Sequence, residues 1–216
     1  TRVIGDRGTM STFALLIVVA CGLAWATFDA QRKMLVQHLG PVEVTALLAI
    51  AQTPLFAAWL IFEGSWYIDP GYWQPAAAVG AANLAASLLF FEALRRAPLS
   101  TMAPLLSLTP VFSAIFADLA LGETLTATQQ LGIGAVVIGA FLLSLPAAEG
   151  ANMWSKLQQG KARLASLLMV FAAASWSITI VFDKAALQHA SLPMHACLQL
   201  LVLSAVLLAV MAFQSR

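Results

Sequence analysis

The side chains able to do chemistry in this 216-residue chain are few, and most stand inside apolar runs. Trp25 and Trp176 are each followed eight residues later by a lysine, Lys33 and Lys184. Asn83, Ser87 and Ser107 are polar residues near the middle of two further runs, and Pro104 interrupts the second of these. An indole N–H, an amide, hydroxyls and a backbone break can hold a solute in a mostly apolar cavity. They suit neutral or zwitterionic molecules such as amino acids, nucleosides or amphiphilic drugs. Trp25, Asn83, Ser87, Pro104, Ser107 and Trp176 are therefore the expected substrate-binding residues, and Gln52, Thr53, Pro54, His195 and Gln199 could line the same space. No H-E-x-x-H or G-x-S-x-G pattern occurs, so no catalytic residue, metal site or cofactor is expected.

The charges within the runs admit two readings. Asp29 and Lys33 are four apart, as are Glu92 and Arg96, with the acid first in both pairs, the favourable order on a helix. The plain reading pairs them, with Lys33 and Arg96 reaching toward the surface. In the functional reading Lys33 and Lys184 sit at opposite ends of a pathway and attract anionic solutes, since a charge at membrane depth is costly without a role. Asp118 and Glu123 flank the end of the fourth run, where Glu123 is expected to stabilise a turn.

Composition decides what solvent these elements occupy. The chain is 61% hydrophobic and 10% charged, with mean hydropathy +0.86, more apolar surface than a soluble core of this length could hide. A hydrocarbon core about 30 Å thick needs about 20 apolar helical residues. Seven stretches qualify: Thr12 to Gln31, Glu43 to Phe62, Tyr72 to Arg95, Thr101 to Leu121, Ala127 to Leu145, Arg163 to Leu187 and Met194 to Phe213. Turn signals at Gly40-Pro41, Asp69-Pro70-Gly71, Ala97-Pro98, Gly122 and Leu192-Pro193 divide them. Residues 147–162 form the longest polar link, between units at 11–146 and 163–216. Trp66, Tyr67, Tyr72 and Trp73 crowd one loop, as expected at the boundary of water and lipid. Cys21 and Cys197 read as small packing residues. The first run is long enough to span and lacks the cleavage site of a signal peptide. The net charge of +1 gives nucleic-acid binding no support.

Pro104 and Pro110 predict a kink in the fourth span, because each removes a backbone hydrogen bond. Within a membrane the freed carbonyls must be taken up by neighbours or by hydroxyls, and Ser100, Thr101, Ser107, Thr109 and Ser113 stand close by. A second regularity concerns the whole chain. Displacement by 151 residues lays Trp25, Lys33, Gln37 and His38 on Trp176, Lys184, Gln188 and His189. In a chain with six Trp and three His, composition does not produce that match. Five spans separate the copies, so the second runs through the membrane inverted, as in secondary transporters with a site near the midplane.

The pattern A-P-L-x6-P-V-F, L-G-E-x-L-T and G-x6-G (Ala103 to Phe112, Leu121 to Thr126, Gly132 to Gly139), with Trp25 and Lys33, resembles the EamA-type transporters of the drug/metabolite transporter superfamily. The resemblance implies an all-α membrane bundle of ten helices in two inverted five-helix repeats, moving small metabolites or drugs by alternating access, often outward. Seven spans are present, so the expectation is a complete first repeat, the first two helices of the second, and truncation after the seventh. It also implies a multi-pass protein of the bacterial inner membrane. Its partners would be a small-molecule solute, the lipid bilayer, the missing C-terminal helices and further copies of the chain. Small multidrug exporters carry a carboxylate in the middle of the first helix; Leu15 to Thr27 has none, leaving proton exchange through that group unsupported. Gly132, Ala135 and Gly139 form a stripe with little side chain, expected to pack against a helix of the second repeat. Alternatives outside this class are a non-transporting assembly subunit and a seven-helix receptor or sensor. Charge counting and the resemblance disagree on orientation. Arg32, Lys33, Arg95, Arg96, Lys156, Lys161, Arg163 and Arg216 oppose Arg2, Arg7 and Lys184, favouring an outside N-terminus, whereas the resemblance implies an inside one.

Overall fold

The computed structural model describes residues 12–122, 124–143 and 160–214; Glu123 and residues 147–159 of the link lie outside them. The helices are α1 (Thr12–His38), α2 (Pro41–Glu63), α3 (Trp73–Arg96), α4 (Leu99–Leu106), α5 (Thr109–Leu121), α6 (Ala127–Leu143), α7 (Gly160–Ala186) and α8 (Leu192–Gln214). A 3-10 turn, Pro70–Tyr72, leads into α3. Among the described residues six helical stretches are long and apolar enough to cross a membrane, with α4 and α5 sharing one, and α6 is a shorter apolar helix. The chain is thus an all-α, multi-pass membrane protein.

Local chemistry sets the ends of these helices. Glu43 reaches back to accept from the Gly40 N–H at 2.6 Å, which satisfies a donor that the start of α2 leaves open. Gly64 closes α2 and Gly122 closes α5, each at φ 65, a conformation that glycine adopts without a Cβ penalty. Asp69 caps the 3-10 turn by accepting from Gly71 N–H at 2.8 Å. The displacement of 151 residues that pairs the Trp and Lys positions also carries Pro41 onto Leu192 and Glu63 onto Gln214, the bounds of α2 and α8.

The fourth span differs from expectation in degree: it is two helices, not one bent helix. Pro110 has no N–H to return to Leu106, and the chain makes tighter bonds there, Ser107 N–H to Pro104 O at 3.2 Å and Leu108 N–H to Leu105 O at 3.3 Å.

The main contacts are α3 against α7 and α2 against α8. Small residues make the first of these close: Ala86, Ala93, Ala165, Ala172 and Ala173 are all fully buried. Around them Val36, Val44, Phe90, Phe91, Leu94, Met102 and Met169 form the principal core, drawn from α1, α2, α3, α4 and α7. α1 joins this core only through its last turns, and every residue from Leu15 to Thr27 is exposed. α1 and α3 finish at one end of the bundle. α7 finishes, and α3 and α8 begin, at the other.

Candidate solute cavity and the two charged ends

The break between α4 and α5 opens a cavity of about 720 Å³ bounded by α4, α5, α6 and α7. Ser107, Thr109, Pro110, Ser113, Ile133 and Lys184 are among its walls. Two hydroxyls repair the backbone here: Ser107 Oγ donates to Pro104 O at 2.6 Å, and the buried Ser177 Oγ of α7 lies 2.9 Å from Thr109 O and 2.7 Å from Ala173 O. Among the described residues Ser113 Oγ has no hydrogen-bond partner, and it is buried. Such an atom is costly to bury.

The expected substrate-binding residues fall into three places. Ser107 and Pro104 are at the break. Asn83, Ser87 and Trp176 meet at the α3–α7 contact, where Trp176 Nε1–H points at Asn83 Oδ1 (3.4 Å), the indole lies 5.1 Å from the Phe90 ring, and Ser87 is buried one turn along α3. Trp25 stands apart on α1, 61% exposed, with Phe28 as a ring neighbour at 5.8 Å. The reason is that α1 packs only through its last turns. No atom within 4 Å would meet a Cβ added at Gly132 or Gly139, and Ala135 is exposed, so the small-residue stripe of α6 is uncovered.

At the end where α1 and α3 finish, Lys33 does not pair with Asp29 as its spacing led one to expect. Its Nζ donates to Leu94 O and, at 3.0 Å, to Ala97 O, closing the C-terminus of α3, where carbonyls lack helical partners. Asp29 instead holds Arg32 at 3.2 Å. The Arg32 guanidinium lies 4.6, 5.1 and 5.4 Å from the rings of Phe28, Phe90 and Phe91, a cation against three π faces. Glu92 pairs with Arg96 as expected, Nε to Oε1 at 2.7 Å, and also with Arg95.

The opposite end carries histidines. Asp69 accepts from Tyr67 Oη–H at 2.9 Å and lies 3.1 Å from His189 Nδ1. Those bonds, His189's first and Tyr67's second, hold the Asp69 carboxyl below the usual carboxylate range, and the carboxylate in turn pushes the Tyr67 phenol up. Deeper in, His195 is buried between Asp183 Oδ1, 2.9 Å from Nε2, and the Tyr72 hydroxyl, 3.1 Å from Nδ1. Tyr72, expected with the boundary aromatics, is 1% exposed, whereas Trp66, Tyr67 and Trp73 are each more than half exposed. Sequence reasoning had named His195 only as a possible lining residue and had missed Asp183. Its one signal was an acid and a histidine on either side of the α7–α8 turn.

Spanning helices around a broken one, with a cavity at the break, form a multi-pass membrane bundle of the kind in which transporters place their sites. The family model of the EamA-like transporter family matches residues 12–145. The chain belongs to that family, one of membrane transporters within the drug/metabolite transporter superfamily. No curated protein and no solved structure matches it.

Proposed function

We propose that the chain moves small neutral or zwitterionic metabolites, amino acids among them, through the cavity at the α4–α5 break by alternating access. The observation that carries this reading is a cavity at the helix break whose walls include Ser107, Thr109, Ser113 and Lys184. Hydroxyls of this kind hydrogen-bond an ammonium or amide, and an ammonium side chain at the cavity's end complements a carboxylate. The outward direction and a bacterial inner membrane are what the resemblance implied. Lys33, held on the carbonyls of α3, is read as a structural cap, and Lys184, in the wall of the cavity, as the pathway charge.

Uptake or exchange of a panel of radiolabelled amino acids by proteoliposomes tests the reading. Ser113→Ala is expected to raise KM several-fold for a transported solute with little change in folded yield, and Lys184→Gln to act more strongly on solutes bearing a carboxylate. Equal KM values in both variants and the parent would sink the assignment of this cavity.

A further inference from the structure

His195 differs from the other two histidines of the chain in being 6% exposed and bonded at both ring nitrogens. A carboxylate accepts only, so the contact to Asp183 requires a proton on Nε2. Nδ1 is then an acceptor and the Tyr72 hydroxyl its donor. Every polar atom of the imidazole is satisfied in this state, and the group as a whole carries the single negative charge of Asp183. Adding one proton turns that charge into a neutral ion pair, an easier burden in an apolar bundle than a lone carboxylate. The Asp183 side chain is 38% exposed, whereas that of His195 is 7% exposed.

We propose that Asp183, His195 and Tyr72 form a proton-binding site at the end of the bundle where α7 meets α8. The proton comes from water and ends on Nδ1. The Nε2 proton stays between imidazole and carboxylate. The Tyr72 hydroxyl, formerly the donor to Nδ1, turns to accept from it and directs its own proton elsewhere. Tyr72 and Gln199 share the wall of a second cavity, about 370 Å³, between α3 and α8. Gln199 is tied to the α3 backbone by Nε2–H to Ala76 O at 2.9 Å. Reversal of the Tyr72 hydroxyl is thus felt at the α3–α8 contact, through a group that touches both helices.

The surroundings leave the site to these three residues. From α7, Asp183 faces the imidazole, while its neighbour Lys184 lines the other cavity. From the start of α3 comes Tyr72, and the loop before it brings Asp69 and Tyr67, engaged with each other and with His189. α2 ends nearby in the exposed Glu63, and α8 itself adds the buried Cys197 thiol. Among the described residues no three potential metal ligands gather, so two bonded side chains on one imidazole suit a proton rather than a metal ion. As a site for a coupling ion this rests on the transport reading; as a site for a proton it does not, and the test is made on the proton alone.

The chain has three histidines, so imidazole 15N spectra of the full chain in lipid nanodiscs can be assigned with His38→Gln, His189→Gln and His195→Gln. Between pH 8 and pH 4 His195 is expected to begin as a single tautomer protonated at Nε2 and to gain the Nδ1 proton on acidification. Asp183→Asn removes the carboxylate that holds the Nε2 proton and should leave mixed tautomers at pH 8. Tyr72→Phe, which keeps the ring and its packing, removes the donor to Nδ1 and should shift the Nδ1 resonance at pH 8 while Nε2 stays protonated; it serves if Asp183→Asn does not fold. A His195 that gains no proton down to pH 4, or one whose tautomer survives Asp183→Asn and whose Nδ1 resonance Tyr72→Phe leaves in place, overturns the proposal whether or not the protein transports any solute.

Discussion

The two ends of the bundle carry the same duplicated Trp, Lys, Gln and His, yet they are chemically unlike. Where α1 and α3 finish, the charges are a lysine seated on carbonyls and an arginine among three phenyl rings. Where α7 finishes, the corresponding turn presents two histidines, each on a carboxylate. The displacement that carries Lys33 onto Lys184 carries Arg32 onto Asp183, a reversal of sign. Duplication preserved the helix pair, therefore, but the partner helix fixed the chemistry. α3 offers its C-terminal carbonyls to one copy and its N-terminal Asp69 and Tyr72 to the other.

The largest expected effect breaks the lysine end. Lys33→Met strips the donor from the Leu94 and Ala97 carbonyls and should cost about 2–3 kcal/mol, as loss of a charged hydrogen bond does. Denaturant titration in detergent micelles measures it, and a change under about 0.5 kcal/mol would remove the capping role. Next comes the histidine end. A Cβ at Gly71 would lie 2.7 Å from the His189 ring, so Gly71→Ala should cost about 1–3 kcal/mol. His189→Ala in the same chain should restore much of that loss, and additivity of the two would show that the clash is not the cause.

A smaller, pH-dependent effect sharpens the contrast. The folded-state value of Asp69 is depressed, so its contribution to stability is present above the unfolded value, about 4, and is lost as pH falls through the lower folded value. The thermal stability of Asp69→Asn should therefore fall short of the parent's at pH 6 and converge with it in strong acid. A gap independent of pH would assign the loss to packing. Smallest of all is Gly139→Leu on α6, where no atom within 4 Å awaits a Cβ; its effect on unfolding should stay within about 0.5 kcal/mol.

Much of the fold was legible because membrane helices announce themselves by length and hydropathy, and because Pro104 and Pro110 named the place where one must fail. The cavity followed in part: Ser107 and Pro104 are local to that break, so proximity in the chain revealed them. The rest depended on which helix lies against which. Spacing alone joined Lys33 to Asp29, but α3 supplied carbonyls that spacing does not show. Tyr72 looked like a boundary aromatic until α8 was seen to place His195 against it, 123 residues away. Trp25 and its twin Trp176 differ in surroundings because Trp176 owes its neighbours to α3, whereas α1 reaches α3 only at its last turns.

One modest contact governs the order in which the molecule can be assembled. Ile68 and Ala190 form an isolated antiparallel bridge, flanked by Asp69 N–H to His189 O at 2.9 Å and Ser191 N–H to Tyr67 O at 3.0 Å. Lys33 and Leu94 are 61 residues apart, whereas Asp69 and His189 are 120 apart. A chain emerging from the ribosome can latch the first end as soon as α3 is inserted, but the second must wait, open, until α7 has crossed the bilayer. Closure over the longer loop costs more chain entropy. The loop carrying Tyr67 and Asp69 thus fastens later during biogenesis than the Lys33 cap, and a protease acting on nascent chains would find it open in the interval.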